Sequence, residues 1–200
     1  MKINSARLAW HDCTYTETRG GLSGLEQQCL LGTAVQTTDK GVTANVAMHG
    51  ALAGWIQSVI AKLHPQVRVF GDFMYAPQPD RRHADDIREA AEEVVFGMVV
   101  SKSPRMTAAK RKKLEYVVKG VMRRYRHMHQ GGQSANEDPL ANAEKFRAWL
   151  WAEFGVRLES VRWAREWEGY IQLAFECCED IDRMALSPVA AVIYQMKEAA

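Results

Sequence analysis

Two hundred residues, 47% hydrophobic and 25% charged, describe one compact domain or two small ones and exclude wholesale disorder. No apolar run approaches the roughly 20 residues of a membrane span, and MKINSARLAW lacks the apolar stretch of a secretory signal, so no membrane partner is expected. Four cysteines, two of them adjacent, make no disulfide framework and point to a reducing, cytoplasmic location. The net charge of +2 conceals an asymmetry. Residues 102–126 carry ten Lys/Arg against Glu115 alone, whereas residues 1–100 carry nine against eleven acids and residues 127–200 seven against twelve. Charge concentrated in this way builds a local field suited to a polyanion.

In chain order, residues 1–41 read as threonine- and glycine-rich loops around one apolar segment, 25–35. Thr43 is an N-cap for a helix of small residues (Ala47, Ala51, Gly54, then Val59 and Leu63) that Pro65 closes. The alternation in VRVFGDFMY, 67–75, predicts a short strand or extended segment, and Pro77 and Pro79 a loop. Asp85 caps a helix over 86–100 with Ile87, Ala91, Val94, Val95 and Met98 inward. After a break at 101–104 a helix over 107–130 runs to Gly131-Gly132, followed by the polar connection GGQSANEDP. Three helical pieces finish the chain: about 141–154, about 160–186, and a tail opened by Pro188. The expected fold is mainly α, with an N-terminal helical region over 1–100 and a basic region over 101–200.

On the 107–130 helix, 100° per residue places Leu114, Val117, Val118, Val121, Tyr125 and Met128 on one face. Lys112, Lys119, Arg123 and Arg126 form a stripe on the other, with Tyr116 and His127 beside it. A solvated face usually interleaves Glu with Lys, because like charges at i,i+4 destabilise a helix by a few tenths of a kcal/mol per pair. A row of phosphates offsets that repulsion. An acidic protein surface and a plain solvated face are the alternatives.

Residues 146–166 (FRAWLWAEFGVRLESVRWARE) contain the parts of a helix-turn-helix: Gly155 in the turn, Val156 after it, Leu150 and Phe154 before, Val161 and Ala164 as anchors. Ser160 would cap the second helix and place Arg162 and Arg165 where a recognition helix touches base edges. Trp151 stands where such a motif wants a small residue, and an ordinary helical corner is the competing reading. The stripe Ala164, Trp167, Ile171, Ala174, Cys178, Ile181 and Ala185 reads first as core, as do most of Trp149, Trp151, Trp163 and Trp167.

No phosphate loop, dinucleotide fingerprint or serine nucleophile elbow is present, so neither enzyme nor cofactor is expected. His11-x-Cys13 and His127-x-His129 do not match structural zinc spacing. A zinc site from His11, Cys13, Cys29 and a distant histidine is the one metal alternative. The acids Asp85-Asp86 and Glu179, Asp180 and Asp182 lack the partner lysine or spacing of a metal-dependent nuclease.

Gly155-Val156-Arg157-Leu158, then Trp163, Trp167, Tyr170, Leu173 and Cys178 with Glu179, resembles the C-terminal pattern of phage and prophage late-gene antitermination proteins called Q. The resemblance covers about forty residues. It implies a DNA-binding transcription regulator that also binds RNA polymerase at a promoter-proximal pause. The rival class is a protein–protein module presenting the basic helix to an acidic host protein.

Overall fold

The structure, a computed structural model, describes residues 5–18, 40–77, 80–103, 105–129, 140 and 142–198. Among these it is mainly α and contains no strand. The elements are α1 (Ala6–Thr18), α2 (Lys40–Ala61), α3 (Pro65–Tyr75), α4 (Arg81–Lys102), α5 (Ala108–His129), α6 (Ala143–Phe154), a π-helical turn (Ala164–Glu168) and α7 (Gly169–Glu198). The chain divides into two compact units, Met1–Ala84 with Met184–Ala200, and Asp85–Arg183. Residues 85–100 thus belong with the basic helix, and the last residues belong with the N-terminal unit. The readings of 19–39, of Cys29, and of Gly131-Gly132 with its polar connection lie outside the described residues.

In the first unit Trp10 organises α1 and α3. Its indole is fully buried, donates from Nε1 to Asp72 Oδ1 at 3.2 Å, and lies 6.3 Å from the Tyr75 ring. Gln57 Nε2 of α2 donates to the Cys13 carbonyl at 2.8 Å. The segment 67–75 is helical, not extended. Pro65 at the first helical turn has the fixed φ a helix start needs, and Val67, Phe70, Phe73 and Met74 are buried at helical spacing. Period-2 alternation competed with that pattern, and tertiary burial decided it. Gly71 is part of the reason, since a Cβ there would overlap the Trp10 indole. Thr43 lies inside α2 rather than at its cap.

The helix α4, whose first residues belong to the first unit, begins earlier than expected. Asp80 accepts from the His83 N–H at 2.9 Å, while Asp85 sits within the helix and pairs with Arg88 at 2.9 Å. Ala91, Val95 and Val99 form its buried side. The helix that starts at Gly169 runs through Pro188 to Glu198, so no separate tail forms. Proline inside a helix costs about 3 kcal/mol. Burial of Ile181, Ala185, Val189 and Val192 along the same stripe opposes that cost. Asp182 is the buried polar residue of this helix and accepts a hydrogen bond from the Tyr125 hydroxyl at 3.1 Å.

α5 meets α6 at Gly120. A Cβ at that position would stand 2.7 Å from Phe146 Cζ and 3.1 Å from Trp149 Cζ3. Phe146 is 3% exposed and packs edge-on to Trp163 at 6.3 Å, so it has little room to retreat. Overpacking of this kind costs about 1–3 kcal/mol. Alanine gains about 1 kcal/mol over glycine in a helix interior. Gly120→Ala should therefore lower stability in urea unfolding; a net gain in midpoint would show that the two rings do not hold α6 against α5.

Candidate nucleic-acid interface

The basic helix is built as its apolar residues require. The Thr107 hydroxyl accepts from the Lys110 N–H at 3.3 Å and caps α5. Leu114, Val117, Val118, Val121 and Tyr125 are all buried, which forces the cations of the helix to its other side. Met128, expected inward, is 57% exposed because it stands in the last turn, beyond that packed stretch.

The four predicted cations of this helix are not equivalent. Lys112 and Arg123 are exposed. Lys119 is pulled back: its Nζ is 3.6 Å from both Glu92 and Glu115, and its side chain is 24% exposed. Arg126 is part-buried, and burial together with the like charge of Arg88 holds its pKa below the usual arginine range. The uniform stripe expected from the helical wheel is thus interrupted, because Glu92 of α4 enters from outside the helix.

No helix-turn-helix turn forms at Gly155. Asn142 caps α6 by accepting from the Lys145 N–H at 2.8 Å, and Gly155 ends it in the left-handed region at φ 64°, donating to the Trp151 carbonyl at 3.0 Å. A helix-turn-helix has a 3–4-residue turn. Here α6 ends at Phe154 and the π-helical turn begins only at Ala164. Ser160 lies in the connection and offers its carbonyl, not its hydroxyl, to the Trp163 N–H at 3.3 Å. Val161 is 73% exposed and anchors nothing. Ala164, placed on the inward stripe, is exposed as well. Arg162 precedes the helical turn with φ 63°, and Arg165 lies exposed on it. Neither arginine stands at the start of a recognition helix.

Three arginines lie over indole faces in this unit. Arg123 sits 5.2 Å from the Trp149 centroid, Arg147 5.3 Å from Trp163, and Arg157 5.0 Å from Trp151. Each contact contributes about 0.5–1 kcal/mol at an exposed site. A guanidinium that stacks by its flat face keeps its in-plane N–H edge free, and that edge matches two phosphate oxygens. Among the described residues, none of the three forms an ion pair, whereas Lys110 is held by Glu166 at 2.8 Å and lies over Tyr170 at 4.8 Å. Trp151 is 52% exposed and Trp163 half-buried, so the tryptophan cluster is a scaffold for arginines rather than simply core.

Lys113, Arg147 and Arg157 were not singled out by the helical-wheel argument, yet they border one concavity with Ser160. The sequence signal for them is the interleaving of Arg and Trp through 147–165, which has no helix-turn-helix periodicity. Other chemistry is weak. Cys177 and Cys178 are buried, and burial pushes both thiols above their ordinary range. Among the described residues no group of three or more His, Cys, Asp or Glu is placed to hold a metal, and no helix is long and apolar enough to cross a membrane.

Burial of Glu92 raises its pKa above the ordinary 4.5, with Lys119 and Arg88 opposing the shift. The folded state therefore retains this proton to higher pH than the unfolded chain. The associated stability is fully present below the unfolded value and is lost as pH rises through the folded one. Glu92→Gln should flatten that part of the stability–pH profile in denaturant titrations; an unchanged profile would mean the carboxylate is solvated. No family model, no curated protein and no solved structure matches this chain.

Proposed function

We propose that this protein binds nucleic acid through its phosphates, using Arg123, Arg147 and Arg157 on their tryptophans together with exposed Lys112. The observation that carries the reading is the stacking of three arginines on indoles, with no carboxylate pairing among the described residues. Cations left unneutralised and held in fixed geometry lose little entropy on meeting an anion. Lys119, already held by two glutamates, contributes less. Without a recognition helix, the geometric ground for base reading by Arg162 and Arg165 is gone, and in this proposal they add charge near the backbone.

The resemblance in 155–179 extends this reading to a transcription regulator acting on double-stranded DNA with RNA polymerase, an antiterminator of the phage type. Its residues include Arg157, Trp163, Trp167 and Tyr170, which take part in the stacked array. Terminator read-through on promoters from the protein's own genome neighbourhood tests that extension separately from binding.

Binding itself is tested by salt. Four phosphate contacts give a log–log slope near −3.6, so duplex affinity should fall about 150-fold between roughly 50 and 200 mM salt. Alanine at Arg123, Arg147 or Arg157 should each reduce the slope by about 0.9 for all sequences alike. Lys119→Ala should change it less. Absence of salt-dependent binding to any nucleic acid would transfer the surface to the rival reading, an acidic protein partner.

A further inference from the structure

The basic unit contains a concavity of about 580 Å³ between α5, α6 and the connection after Gly155. It is lined by Lys113, Arg147, Arg157, Leu158, Glu159 and Ser160. The volume falls in the range of small-molecule sites, about 300–1,000 Å³, and is larger than an isolated inorganic anion requires. Three cations face one carboxylate, a formal excess of two positive charges at neutral pH. Two of those cations are fixed by rings, Arg147 by Trp163 at 5.3 Å and Arg157 by Trp151 at 5.0 Å.

We infer that this concavity is a binding site for the phosphomonoester of a nucleotide. An internal phosphodiester carries one negative charge, whereas a phosphomonoester carries nearly two at neutral pH because its second pKa is about 6. A single monoester matches the excess charge of the lining, where a single diester leaves one positive charge over. Arg147 and Arg157 carry the planar donor fork that suits paired phosphate oxygens, Lys113 adds a point charge, and the Ser160 hydroxyl is a further donor. Exposed Val161 gives apolar surface that a ribose or base would cover.

A second concavity of about 380 Å³ adjoins the first, sharing Lys113, Glu159 and Val161. Its own charged residues are Lys110, Arg162 and Glu166, a single positive excess. The two in sequence match a terminal monoester followed by one diester, that is, the phosphorylated end of a strand. A free mononucleotide supplies the same terminal chemistry without the second step. The inference rests on the nucleic-acid reading for its strand source, and its failure is distinguishable from the failure of that reading.

The test compares short single-stranded oligonucleotides of one sequence with a 5′-phosphate, a 3′-phosphate or hydroxyl ends, by fluorescence anisotropy at constant salt. One phosphorylated form should bind the full-length protein about tenfold or more tightly than the hydroxyl form. Arg147→Gln and Arg157→Gln should abolish that preference, and Arg123→Ala should keep it while weakening all forms together. Lys113→Gln, a change at a half-buried position of a well-packed helix, guards against misfolding of the arginine variants and should also reduce the preference. Adenosine monophosphate competing as well as the phosphorylated oligonucleotide identifies free nucleotide as the source; competition at least about tenfold weaker identifies the strand end, since the second concavity then contributes. Equal affinity for phosphorylated and hydroxyl ends, or a preference that survives the Lys113 and both arginine variants, overturns the site. Salt-dependent binding without end discrimination overturns the site and leaves polyanion binding. End discrimination or mononucleotide binding without salt-dependent duplex binding does the opposite.

Discussion

The missing side chain at Gly120 fixes the arrangement on which the basic unit depends. Because α5 has no Cβ there, the rings of Phe146 and Trp149 lie directly against it. Phe146 then meets Trp163 edge-on, Trp149 meets Phe154 edge-on at 5.3 Å, and Tyr116 meets Phe154 at 5.1 Å. A chain of aromatic contacts therefore runs from one glycine to the connection after α6. The arginines are the outermost members of that chain. Arg123 rests on Trp149 and Arg147 on Trp163, so a packing constraint inside the unit becomes a placement of charge on its surface.

That linkage explains why charge count alone misjudges the surface. The segment with ten cations appears in sequence as one block, but the fold divides it. Glu92 and Glu115 hold Lys119, Glu166 holds Lys110, and Asp180 holds Lys102 at 2.9 Å. Cations outside the block, Arg147 and Arg157, are in turn held by indoles. Exposed ion pairs contribute little to stability, typically below about 1 kcal/mol. Their larger effect here is on which cations a ligand meets.

The fold was legible where periodicity was long and unambiguous. The buried face of α5 follows from the spacing of Leu114, Val118, Val121 and Tyr125, and the stripe through Ala174, Cys178 and Ile181 from its 3.6-residue repeat. It failed where local rules gave two answers. VRVFGDFMY alternates like a strand and yet fits a helix that Pro65 starts, and only burial against Trp10 separates the two. Pro188 opens helices as readily as it interrupts them, and the local sequence does not weigh the buried residues on both sides. The interface was half legible. Lys112 and Arg123 follow from the helical wheel, but the removal of Lys119 by Glu92 and the stacking of Arg157 on Trp151 join residues from different elements or across a turn.

Six tryptophans make the account directly measurable, because each indole N–H gives its own nuclear magnetic resonance signal. Titration of the isotope-labelled protein with a short duplex should shift the signals of Trp149, Trp151 and Trp163, the three rings that carry arginines. Trp10, buried with its N–H donated to Asp72, and Trp55, half exposed in the other unit, should hold their positions. Shifts confined to Trp10 or Trp55, or no shift at a duplex concentration that saturates binding, would contradict the arginine–tryptophan surface as the place where phosphate is held.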